Sequence, residues 1–198
     1  MIVVDLDSQY RAPEPRLSAA EALELLLAAM GGGAFNSVKK ALEELDTANA
    51  WRTFFQEAAR ATPPGTLREE FHTAWSVRGF RMREALADDK LLAAALRNLL
   101  PPYTGSELTL YRGEQCARFE TEQHGFNWTP VRSVAERFAC GLCSLYEGGG
   151  VLLQSTIPAA AIIAAPGHHS LYLDEHEYVV DPSQLADVVE LQRYPERR

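Results

Sequence analysis

The sequence predicts an α+β protein, with a helical region over residues 1–100 followed by a strand-rich region over 101–198. Three observations predict it. Apolar residues recur at helical spacing as far as Pro101–Pro102. Beyond residue 105 they shorten to β-rich runs bounded by Gly, Pro and Asp. Composition is the third: the 198 residues are 46% hydrophobic and 23% charged, ordinary usage for one domain or a domain with an attached subdomain. Wholesale disorder is thereby excluded.

The elements follow in order. Ser18 is an N-cap, with Glu21 three residues on completing a capping box. The helix it opens runs from Ala19 to Met30 and stops at Gly31–Gly32–Gly33, which also reads as an internal hinge. Asn36 or Ser37 caps a second helix from Val38 to Ala61, with Leu42, Leu45, Trp51, Phe54, Phe55 and Ala58 on its apolar face. Pro63–Pro64–Gly65 ends it. A third helix spans Leu67 to at least Ser76. A fourth runs from Asp88 or Asp89 to Leu100, its acids at the positive end of the helix dipole. After the double proline, strands are expected at Leu108–Tyr111, Val151–Ile157, Ile162–Ala165, Glu177–Val180 and Val188–Leu191. One helix, Val134–Leu145, follows Pro130 and ends at Gly148–Gly149–Gly150.

Charge and cysteine content narrow the function. The net charge of −8 argues against a broad phosphate-binding face. Residues 51–100 depart from this, with eight basic side chains against six acidic ones, mostly arginine. They read as a solvated helix surface or as a docking face for an acidic partner or nucleic acid. Cys140 and Cys143 form a lone C-x-x-C, which cannot complete a four-ligand zinc site with cysteines alone. They read as reduced core thiols, with redox or metal chemistry as the alternative. His168, His169 and His176 could suggest a metal, but the two adjacent histidines point in different directions and Cys140 and Cys143 would have to converge with them, so no metal is expected. No apolar stretch approaches the ~20 residues of a membrane helix, and Met1–Asp5 makes a poor signal peptide. A cytoplasmic setting without membrane contact is expected. The phosphate-loop and G-x-G-x-x-G signatures are missing, so any dinucleotide would be bound by other means.

Three segments of the second half carry the chemistry. They are Tyr111–Arg112–Gly113–Glu114, then Gly125–Phe126–Asn127–Trp128–Thr129–Pro130 leading into a helix with Ala135, Phe138 and Ala139, and then Glu175–His176–Glu177–Tyr178–Val179–Val180–Asp181–Pro182. Each alone reads as a turn, a helix entry or solvated charge. Their order and spacing resemble the mono-ADP-ribosyltransferases of the Arg–Ser–Glu class, in the phage- and bacterium-borne branch where YRG, WT, A..FA and E.E(Y)VV.P recur. The resemblance covers residues 105–190.

The resemblance implies an ADP-ribosyltransferase-like split β-sheet core over 101–198, with NAD as co-substrate and no metal. It implies that Arg112 contacts the NAD phosphate and ribose, with Gly113 and Phe138 beside it. The family's Ser-Thr-Ser is replaced by Asn127–Trp128–Thr129, so either Asn127 or Thr129 fills the serine role. Trp128 walls the nicotinamide pocket or packs in the core. Glu177 corresponds to the catalytic glutamate and Glu175 to the residue that tunes acceptor choice. Strand alternation would put positions 175 and 177 on one face and His176 on the other. Tyr172 corresponds to an aromatic residue shown to the target, or is a hydrophobic anchor. The activity implied is transfer of ADP-ribose to a macromolecular acceptor, protein or nucleic acid, by a toxin-like effector, with a cognate inhibitor or antitoxin as a further partner. Alternatives are an NAD glycohydrolase and a catalytically silent binding module built on the same fold.

Overall fold

A computed structural model describes residues 17–31 and 38–197. The expected caps at Asn36 and Ser37, and Gly32–Gly33 of the hinge, lie outside the described residues. The first helix, α1 (Ala19–Met30), carries the expected capping box: Ser18 Oγ accepts from the Glu21 N–H, and Glu21 accepts from the Ser18 N–H.

The single helix expected over 38–61 is two, α2 (Val38–Thr47) and α3 (Trp51–Ala58). The break lies at Asn49, whose φ of 53° is left-handed. The Ala50 N–H bonds Leu45 O and the Asn49 N–H bonds Asp46 O, the paired bonds of a Schellman ending with Asn in place of Gly. The turn lets Phe54 and Phe55 pack on Phe71, with the Trp51 and Phe55 rings stacked at 5.6 Å. The next helix, α4 (Gly65–Leu86), covers the expected Leu67–Ser76 and runs on to Leu86. Ala87 ends it in the left-handed region, and Asp88 caps α5 (Asp89–Leu99) by accepting from the Leu91 N–H.

The second half holds two antiparallel three-stranded sheets, which makes the chain α+β. In one, β1 (Leu108–Gln115) and β6 (Val188–Tyr194) flank β3 (Gly150–Ile157). In the other, β2 (Asn127–Trp128) and β4 (Ile162–Ala164) flank β5 (Tyr178–Val180). Three short helices join them: α6 (Cys116–Glu120), α7 (Arg132–Cys140) and α8 (His168–Tyr172). The helix expected over 134–145 ends at Cys140 because Gly141 follows, and a separate 3-10 turn, Cys143–Leu145, comes after. Cys140 and Cys143 are both free and lie on different turns.

Two differences bear on the site. The strand expected to end at Tyr111 runs on to Gln115, because β3 pairs with it residue for residue from Leu108↔Ile157 to Gln115↔Gly150. Arg112, Gly113 and Glu114 therefore sit within a strand, not in a turn. The two sheets meet at Tyr111 and Thr129, whose backbones exchange both hydrogen bonds, at 2.7 and 2.9 Å.

Pro101–Pro102 marks a change of secondary structure and not of packing. The helical core of Leu26, Phe54, Phe71 and Leu96 continues through Phe126, Ile163, Ala164 and Val179 of the sheet half. Arg97 on α5 crosses to Asp181 Oδ2 (3.2 Å) and Ala160 O (3.1 Å). A second core, with Leu110, Trp128, Val151 and Val180, fills the space within the strand-rich half.

Candidate active site

The site grows from the junction of β1, β2 and the loop before β5. Alternation along β1 puts Arg112 and Glu114 on one face. Their side chains pair, Nε to Oε2, at 2.7 Å, and Glu114 is 2% exposed. Glu114 also accepts from the backbone N–H groups of Gln115 (3.1 Å) and Gly125 (2.9 Å). Burial pushes its carboxyl up, but the Arg112 guanidinium, then the Arg118 charge and the Gln115 N–H, outweigh it and hold the carboxyl below its usual range. Arg112 gives a second nitrogen, Nη1, to the Asn127 carbonyl at 2.6 Å. Its guanidinium lies directly against Gly125, where any Cβ would collide with it. Arg112 thus clamps β1 to β2. Its Nη2 is the nitrogen with no acceptor among the described residues.

Asn127 is the hub. Its carbonyl takes the Arg112 guanidinium, its Nδ2 donates to Glu177 Oε2 at 3.0 Å, and its Oδ1 accepts from Trp75 Nε1 at 3.0 Å. Thr129 is 3% exposed. Its hydroxyl donates to Glu175 O at 2.7 Å and accepts from the Val131 N–H at 3.1 Å. The two candidate residues hold different parts of one segment: Asn127 holds the Glu177 side chain, and Thr129 holds the backbone at Glu175.

Glu175, His176 and Glu177 precede β5 and are not strand. Asp174 and His176 are left-handed, with φ of 57° and 51°. The two-residue alternation expected there fails for that reason. The charges still meet, since Glu175 acts on Glu177 electrostatically. The Glu177 N–H is anchored on Ser170 Oγ at 2.7 Å, and Ser170 is buried at the centre of α8. Burial first, then the Glu175 charge, push the Glu177 carboxyl up to about 7, against the opposing pull of Arg112 and the Asn127 amide.

The other named residues separate into two groups. Gly113 is buried where α7 crosses β1, and a Cβ there would run into Ala135 O and Ala139 N. Phe138 is partly buried beside it, on the same helix. Trp128 is wholly buried, donates to Gly125 O at 2.9 Å and belongs to the strand-half core. Of its two readings the core one holds; the indole supports the site from behind and does not line it. Tyr172 stands 85% exposed at the end of α8, five residues before Glu177, and so anchors nothing. His168 lies near the buried His72 of α4, whose ring burial and the His168 charge push down to about 4. Among the described residues no three His, Cys, Asp or Glu side chains gather as a metal site.

The constellation is a carboxylate poised to change charge near neutrality, a second carboxylate beside it, a half-buried guanidinium and a fixed amide. Such a group stabilises developing positive charge and takes up a proton. No protein-family model, curated protein or solved structure matches the chain. Sequence reasoning missed three members. Glu114 was legible, two places after Arg112 on the same strand face. Ser170 and Trp75 carried no local signal, because only folding brings them to Glu177 and Asn127. Among the described residues, no helix is long and apolar enough to cross a membrane.

Proposed function

We propose that the chain is an NAD-dependent mono-ADP-ribosyltransferase that modifies a macromolecule in the cytoplasm, as a toxin-like effector. The observation that carries this reading is the convergence of Arg112, Asn127 and Glu177 from three separate segments, with the Asn127–Glu177 bond at 3.0 Å. Two small antiparallel sheets joined at Tyr111–Thr129, with the helical region before them, fit the split-sheet core that the motifs imply.

Breaking the nicotinamide–ribose bond leaves positive charge on the ribose, and nicotinamide departs as a neutral molecule with the bonding pair. Glu177, as carboxylate, stabilises that charge. A nucleophile on the acceptor then forms the new bond to the same carbon, and Glu175 takes its proton. Arg112 holds the strands that carry these groups and offers Nη2 to an anionic oxygen of the dinucleotide. The exposed Tyr172 faces the acceptor.

The test is incubation of wild type and Glu177→Gln with labelled NAD, with and without bacterial lysate, followed by separation of protein from nucleic acid. Label on either polymer with wild type alone supports transfer and names the acceptor class. Nicotinamide release without labelling makes the chain a glycohydrolase. Absence of both leaves a binding module.

A further inference from the structure

Trp75 lies in the middle of α4, far in sequence from the strands, yet its indole N–H reaches the site. Nε1 donates to Asn127 Oδ1 at 3.0 Å, and Asn127 Nδ2 donates to Glu177 Oε2 at 3.0 Å. An indole N–H donates and never accepts. The end of the Asn127 amide that faces it must therefore be the oxygen, and the NH2 end is left facing Glu177. An amide without such a neighbour serves either form of a carboxyl group. It turns its NH2 toward a carboxylate or its oxygen toward a protonated acid. The indole removes the second choice.

We propose that Trp75 is a positioning residue for Glu177, locking the Asn127 amide with its NH2 toward the carboxyl so that the ionised form is favoured. The helical half is then part of the catalytic unit.

The indole is itself held firmly. It is 3% exposed and meets the Phe126 ring edge-on, with centroids 5.7 Å apart. Arg83 covers Phe126 at 5.5 Å. Gly79, one turn further along α4, lies against the indole face, where a Cβ would come within 2.9 Å of the ring. The groups that face Glu177 are Glu175, which opposes its ionisation, and Arg112 and Asn127, which favour it. Trp75 acts through the last of these.

The kinetic consequence rests on the function proposed above; the effect on Glu177 itself does not, and it can be read without NAD. The decisive variant replaces Trp75 with 3-benzothienylalanine, which keeps the bicyclic shape and puts sulfur where the N–H was. Trp75→Phe is the second variant. The Glu177 carboxyl is followed by carbon NMR as pH is raised, in the wild-type and Asn127→Ala backgrounds. The expected result is a midpoint raised by about half to one pH unit on loss of the N–H. In the Asn127→Ala background the same change should add nothing. A midpoint that stays put in a folded benzothienyl variant overturns the proposal, as does an undiminished shift without Asn127. The pH–rate profile of NAD cleavage should move with the midpoint. Failure of wild type to cleave NAD sinks the proposed function and leaves the titration to judge Trp75.

Discussion

Glu177 is held at a cost that its neighbours make visible. An unfolded glutamate ionises near 4.5, and burial beside Glu175 pushes this one up to about 7 in the folded chain. Between those values the folded state holds the extra proton, so stability falls as pH rises, and the full cost is present above about 7. Glu177→Gln should therefore abolish NAD cleavage, by about 100-fold or more, while stabilising the protein at pH 8 by roughly 1–2 kcal/mol and leaving it unchanged at pH 4. Nicotinamide release and thermal melts at the two pH values check both halves. Wild-type activity should climb through pH ~7 as the carboxylate forms. Glu114 has the opposite sign. Its depressed carboxyl stabilises the fold above the ordinary carboxylate range, and the contribution disappears as pH falls. Glu114→Gln takes the ion-pair partner from the half-buried Arg112 and should cost about 2 kcal/mol in urea unfolding at pH 7. Arg112, Glu175 and Glu177 were legible because each stands in a motif. The division of labour between Asn127 and Thr129 was not, because the partner that orients the Asn127 amide lies on α4.

At the scale of elements, close approach decides more than propensity. Gly113 sits in the interior of β1, a poor place for glycine in a strand, because α7 lies on it without room for a methyl group. Gly113→Ala should lower stability by roughly 2–3 kcal/mol and move α7 away from the site, measurable as a lower urea midpoint. Thr129→Val removes the hydroxyl that ties Glu175 O to the β2–α7 turn. It should cost about 1–2 kcal/mol and impair transfer to the acceptor more than NAD hydrolysis, which paired assays of the two reactions resolve. The helices were legible where caps or apolar period mark them, as at Ser18 and Asp88. The break at Asn49 was not, since Asn in a left-handed turn leaves the apolar period running across it. Nor was the strand character of Asn127–Trp128, which pairing with β5 creates. Arg112–Gly113 reads locally as a turn, and only the long ladder to β3 overrides that reading.

For the molecule as a whole, the two halves stand or fall together. Phe126, Ile163, Ala164 and Val179 complete the core of the helices. Residues 101–198 expressed alone should thus expose that surface and show neither dispersed amide spectra nor NAD cleavage; a folded, active fragment would contradict this. The change in hydrophobic period at Pro101–Pro102 was plain in the sequence, whereas the shared core was not, because periodicity reports which face is apolar and not what covers it. The backbone junction between the sheets has a further consequence. Among the described residues, the backbones of β1 and the β2 sheet are bridged by one residue pair, Tyr111 and Thr129, through two N–H···O bonds. Those two amide protons are natural gauges of how often the candidate site breathes. They should exchange with deuterium together, at one common rate, faster than the amides of the β1–β3 ladder, and slow down when a dinucleotide bridges the gap.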